Sequence, residues 1–188
     1  LWVDCGFYGG LIPENLDEMK PLVKSGVLGF KAFMSHSGID EFPKVSETDL
    51  RNALSILTSY DLPLLVHAEL EDHSNHDKDL HTYESYLATR PKSWENNAIK
   101  LLIKLCKEYQ TPIHIVHLSS SEALDDIARA RKEGLPISAE TCPHYLHFTS
   151  EKITDGDTRF KCAPPIRDEE NKKQLWEGLI SGTIDFIT

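Results

Sequence analysis

The chain has 188 residues, of which 40% are hydrophobic and 27% charged, with a formal net charge of -10. That composition is ordinary for a globular protein, and the acidic balance argues against a nucleic-acid partner, which would call for a basic patch. No run approaches the length of a membrane-spanning helix and the opening "LWVDCGFYGG" lacks the basic start of a signal peptide, so an intracellular, cytoplasmic protein without a membrane partner is expected.

The first strand is expected in "LWVDCGFYG", followed by a helix near "NLDEMKPLVKSG" and a second strand, "VLGFKAFM". A helix follows from Glu47 to about Tyr60, opened by Ser46 and Asp49 as a capping box and striped by Leu50, Leu54 and Leu57. "LPLLVHAE" is the third strand. A polar stretch, "LEDHSNHDKDLHTYESYLATRPKS", leads to the amphipathic helix "WENNAIKLLIKLCKEYQ". "TPIHIVHLSS" is the fourth strand and "EALDDIARARKEG" the next helix, stopped by Gly134. The fifth strand is read through "LPISAETCPHYL". A loop, the helix "KKQLWEGLISG" and a last strand, "TIDFIT", complete the chain. Cys5, Cys106, Cys142 and Cys162 lie far apart without CxxC spacing and read as reduced thiols.

Strands alternating with helices at this spacing predict parallel βαβ units. A doubly wound sheet is one solution, but no glycine-rich dinucleotide or phosphate loop follows any strand. The other is a slice of a (β/α)₈ barrel, which when complete needs roughly 250 residues. The expectation is therefore an α/β fold of the TIM-barrel type, truncated at both ends, with residues 1–188 holding about six of the eight units of one catalytic domain. Such a barrel collects its chemistry at the C-terminal ends of its strands.

Those ends carry Lys31, His67 and His117, each after an apolar run. A single strand-end histidine is more often a hydrogen-bonded core residue than a ligand, and it is the repetition at one expected height that favours a site. His114 and His117 differ by an odd number of residues, so strand alternation places only one of them inside, and His114 is expected under a helix. His73, His76 and His81 sit in an acidic polar loop and read as solvated, with His73 and His76 able to take a stray metal. His144 and His147 follow the fifth strand, and His144, nearer its end, is the candidate to line the site. Two neutral imidazoles suit zinc. A lysine ammonium has no lone pair, so Lys31 becomes a ligand only after losing its proton and being converted to an anionic group.

In order and spacing, "GFKAFM", "LLVHAE", "IVHLSS", "ETCPHYL" and "KCAPPIRD" resemble the cyclic-amide branch of the amidohydrolase superfamily. Within it, "FKAFMSHSGIDEFP", "TRPKSWENNAI" and "FKCAPPIRDEEN" are most similar to the allantoinase family, and the resemblance spans essentially the whole chain. It implies hydrolysis of the cyclic amide of a small ureide by two divalent metal ions, expected to be zinc, bridged by a carboxylated lysine. By motif match Lys31 is that lysine, and His67 and His117 are the histidines of the second metal. The family's HxH pair has no counterpart here and is expected before the first residue. Its catalytic aspartate, the proton shuttle, is expected beyond Thr188, so no residue of this chain is assigned that role. Asp185 lies too early to be that aspartate and is expected to be structural. His36 stands where hydantoin-cleaving relatives carry a tyrosine, and Ala163 stands in a "CAPP" turn resembling one that holds the ring amide through backbone groups. Both are therefore expected substrate contacts. The resemblance further implies a homo-oligomer, a tetramer. The alternatives are a dihydropyrimidinase or hydantoinase, and a metal-free barrel scaffold that has lost its activity.

Overall fold

The computed structural model describes residues 2–72 and 81–188, and His73 and His76 lie outside them. Six strands form one parallel sheet in sequential order: β1 (Gly9–Gly10), β2 (Phe30–Phe33), β3 (Leu64–His67), β4 (Ile113–Ile115), β5 (Ile137–Thr141) and β6 (Phe186–Ile187). Between them run α1 (Leu16–Lys24), α2 (Glu47–Leu57), α3 (Tyr83–Thr89), α4 (Lys92–Tyr109), α5 (Leu124–Lys132), α6 (Pro143–His147) and α7 (Glu169–Ile180). A doubly wound sheet reverses its strand order at a switch point. This sheet never reverses, which is the winding of a partial (β/α)₈ barrel.

Alternation along the strands separates two faces. Phe30, Leu64, Ile113 and Ile137 are register partners and buried, packing in one core with Leu50, Leu54, Leu57, Leu102 and Leu105 of the helices. The next register row, Lys31, Leu65, His114 and Ser138, therefore faces the opposite, inner side of the sheet. Gly29 lets β2 and β3 come together. A Cβ there would lie 2.6 Å from the Pro63 carbonyl oxygen, the atom that accepts the Phe30 amide at 2.9 Å.

Local chemistry sets the helix ends. The Ser46 hydroxyl accepts the Asp49 amide at 3.2 Å while the Asp49 carboxylate accepts the Ser46 amide at 2.8 Å, the expected capping box of α2. Asp168 caps α7 through the Asn171 amide at 2.8 Å. Gly134 ends the α5 region with φ +84°, as predicted. Several expected bounds shift. The polar stretch before α4 contains α3, which Thr82 caps. The fifth strand ends at Thr141, because Pro143 begins α6 and the "PHYLH" residues turn helical. No helix among the described residues is long and apolar enough to cross a membrane.

Candidate metal centre

His67 ends β3 on the inner face, and its ring stacks on Phe33 with centroids 5.2 Å apart. β4 stops at Ile115, and beyond it the chain transfers its pairing from β3 to β5. The Val116 amide still donates to the Val66 carbonyl, but the Leu118 amide donates to Glu140. Between these, His117 takes a left-handed backbone conformation, φ +44°. That twist breaks strict alternation, so His114 and His117 both reach the inner side. The expectation of His114 under a helix is thus overturned: it lies among Ser138, Glu140 and the stacked ring of Phe186, with its Nδ1 2.7 Å from Ser138 and its Nε2 3.0 Å from Glu140. His117 meets His67 edge to face, Nε2 to Nδ1 at 3.1 Å.

Two buried carboxylates stand behind this pair. Glu69, fully buried, accepts from His67 Nε2 at 2.7 Å and from the guanidinium of Arg90. Glu95, in the first turns of α4, takes the Ser119 and Ser120 amides at 2.8 and 2.7 Å, one on each oxygen. From the other side Asn171 of α7 donates to the Ser119 carbonyl at 2.8 Å and accepts the Ser121 amide at 3.0 Å. The loop carrying His117 is therefore gripped by two helices. Burial, with His67 and Lys31 alongside, holds the His117 pKa down to about 3. The imidazole is neutral at physiological pH, and its Nδ1 is buried without a hydrogen-bond partner.

Lys31 is not level with His67, as the strand-end pattern implied: it pairs with Leu65, two residues lower, and the length of its side chain makes up the difference. Its ammonium nitrogen lies 4.0 Å from the centre of the Phe33 ring and donates to the Ala32 carbonyl at 3.1 Å. Burial draws the amine down to about 7, against the upward pull of Glu140. Near neutral pH a large fraction is therefore uncharged.

Among the described residues no group of three or more His, Cys, Asp and Glu side chains is arranged to hold a metal. The pair itself fits. Two tetrahedral zinc ligands at 2.0–2.1 Å lie about 3.3 Å apart, and the facing nitrogens of His67 and His117 are 3.1 Å apart. Both belong to imidazoles that burial or a carboxylate keeps in place.

The other candidates are more dispersed. His36 is exposed in the loop after β2, where its amide donates to Glu71 and its Nδ1 accepts the Gly38 amide at 3.0 Å. Ala163 is exposed in a loop whose neighbouring carbonyls are clamped by hydroxyls, Cys162 by Tyr86, Pro164 by Tyr145 and Pro165 by Ser119. His144 has a buried, unpartnered Nε2 and lines a cavity of about 400 Å³ with Phe148, Phe160 and Ile166. Burial lowers its pKa. His147 packs against Phe148, and the His81 carbonyl accepts the Gly156 amide. Asp185 is paired with Arg131 at 3.0 Å and accepts the Ala139 amide, a structural role as expected.

Thr188 is an exposed residue that carries the pairing of β6 with β5 one step further. Its amide donates to the Thr141 carbonyl at 3.0 Å and its hydroxyl to Glu140 at 3.0 Å. Reasoning from sequence missed Glu69, Arg90, Glu95 and Asn171. Only Glu69 carried a signal, two residues beyond His67 and hence on the same face.

No protein-family model matches the chain. Among curated proteins it is 45% identical over 201 residues to an allantoinase of Arabidopsis thaliana, covering 99% of this chain and 40% of that protein. An allantoinase of Saccharomyces cerevisiae is 44% identical, with 100% and 42% covered. Among solved structures, the L-hydantoinase (dihydropyrimidinase) of Arthrobacter aurescens superposes with a TM-score of 0.86 at 29% identity, over 98% of this chain and 42% of that one. A D-hydantoinase gives 0.86 at 26% identity, over 99% and 43%. The chain thus spans about two fifths of the length of the relatives it matches. With parallel βα units wound as a partial barrel and this likeness along its whole length, the chain belongs to the allantoinase family.

Proposed function

We propose that the protein carrying this chain hydrolyses the cyclic amide of allantoin, giving allantoate. The reading is carried by the facing nitrogens of His67 and His117, which have Lys31 on the same inner face. The choice of allantoin rests on the 42–45% identity to proteins named allantoinase. On this reading residues 1–188 supply about six of the eight βα units of one catalytic domain.

His67 Nδ1 and His117 Nε2 would hold one of two divalent ions, zinc by ligand type. Lys31 would bridge both. Addition of its neutral amine to the carbon of CO₂ with loss of one proton would leave a carbamate, whose single negative charge is shared by two oxygens. When bound, such a metal pair supplies a nucleophile at neutral pH and polarises the scissile carbonyl. To hold a metal, His117 would present Nε2 without a proton and keep its ring hydrogen on Nδ1. The clamped carbonyls around Ala163 fix that exposed turn, so its backbone groups can meet the ring amide without reordering. His36, with Nδ1 occupied by the Gly38 amide, presents Nε2–H as a donor to substrate. We further assign a homo-oligomer, a tetramer, acting inside the cell, with no nucleic-acid or membrane partner. A relative from Aquarana catesbeiana is named as mitochondrial.

The test is to assay the full protein on allantoin, dihydrouracil and hydantoin. Allantoin is expected to give the highest kcat/KM by a wide margin, and a clear preference for either of the others would overturn the assignment. The hydantoinase structures keep that second reading in view.

A further inference from the structure

Glu69 is a charged side chain in a place where packing does not call for one. It has no exposed surface, and its Oε1 makes no hydrogen bond. A buried acceptor without a partner is unfavourable, so the fold gains little from the carboxylate as such. Its other oxygen is taken twice, by His67 Nε2 at 2.7 Å and by Arg90. Arg90 is itself fixed, since its guanidinium lies over the Trp94 ring at 5.9 Å and its carbonyl accepts from Arg167 at 2.7 Å.

The chemistry of the contact decides where the proton of His67 sits. The same Glu69 oxygen faces Arg90 and His67, and since a guanidinium only donates, that oxygen is an acceptor. The nitrogen facing it must donate. Nε2 therefore carries a hydrogen, and in the neutral ring that leaves the lone pair on Nδ1, the nitrogen that faces His117 Nε2. Without Glu69, the two neutral tautomers of His67 would differ little in energy, and the one with Nδ1–H has no lone pair to give.

We propose that Glu69, anchored by Arg90, is a positioning residue that locks His67 in its Nε2–H tautomer, so that the nitrogen pair is set for a metal before the metal arrives. This rests on the metal-centre reading above. A histidine ligand whose other ring nitrogen donates to a carboxylate has both its orientation and its basicity set by that bond.

The experiment has two arms, both on the full protein that carries this chain. In the metal-free wild type, long-range ¹⁵N–¹H correlation of the histidine rings, with His67 assigned by its loss in His67→Asn, is expected to show Nε2 protonated and Nδ1 bare. A proton on Nδ1 would overturn the proposal, and this arm needs no Glu69 variant to fold. In the second arm zinc affinity is measured by chelator competition, with thermal unfolding of the metal-free forms as control. Glu69→Gln, whose amide turns either end to the imidazole, is expected to bind zinc about 10–100-fold more weakly. Equal affinity in wild type and Glu69→Gln would overturn the positioning role while leaving the metal centre standing. A wild type that binds no zinc would overturn the metal reading, whatever the tautomer.

Discussion

Glu95 joins a buried carboxylate to two backbone amides, and burial pushes its pKa up from 4.5 to about 7 against the pull of Arg167 and those amides. Between these two values the folded chain keeps a proton that the unfolded chain has released. Its contribution to stability therefore falls as pH rises through that window and is lowest above 7. Glu95→Gln is expected to flatten this part of the stability profile, checked by denaturant unfolding of both proteins at either end of the window. Lys31→Ala is expected to lose bound metal and allantoin turnover together, with partial recovery on adding a short carboxylic acid that supplies the missing oxygens. Full activity in that variant would make Lys31 a simple strand residue. Lys31 and His67 were legible in the sequence because each follows an apolar run and alternation fixes its face. His114 was misplaced because alternation was carried past Ile115, where His117 adopts φ +44°, a turn that no residue type there announces. Glu95 was not legible, since "WENN" reads as the polar start of an amphipathic helix and its amide partners come 24 residues later.

At the scale of elements, the sheet depends on the close approach of β2 and β3. Gly29→Ala puts a methyl 2.6 Å from the Pro63 carbonyl oxygen, a backbone atom that cannot swing aside. The strands bearing Lys31 and His67 must then separate, so both lower stability and weaker zinc binding are expected, read by thermal unfolding and chelator competition. Ser46→Ala, which removes only the α2 cap, is expected to cost about 1 kcal/mol and to leave zinc affinity unchanged. That contrast separates loss of fold stability from loss of site geometry. Most helices were legible from their stripes and caps, because local residue chemistry determines them. α3 was hidden in a polar run, where only Tyr83 and Tyr86 are buried and the hydrophobic period is too short to register. The strands came out shorter than their apolar runs, since pairing partners rather than propensity decide where a ladder ends.

For the whole molecule, sequential winding leaves an open sheet with its helices on one side. The inner face holds a hollow of about 500 Å³ bordered by Leu65, His114, Glu140 and Phe186, while Phe7, Phe186 and Ile187 are exposed. Unpaired strand edges and exposed apolar side chains favour association. Residues 1–188 expressed alone are expected to self-associate as concentration rises, measured by sedimentation velocity, and to lack allantoin turnover even with added zinc. A monodisperse monomer turning over like the full protein would overturn both the partial-barrel reading and the ligand assignment. The winding was legible from the strand–helix alternation, which leaves few arrangements once no glycine-rich loop is present.

The double grip on the loop after β4 also orders events as the chain folds. Glu95 closes a span of 24 residues to reach Ser119, whereas Asn171 closes one of 52. Loop-closure entropy makes the longer span costlier by about 0.7 kcal/mol, and during synthesis α7 emerges last. On that ground the α4 contact is expected to form before the α7 contact, which then fastens a loop already half set. A nascent chain halted before residue 171 is therefore expected to hold His67 in place while the loop carrying His117 still samples other conformations.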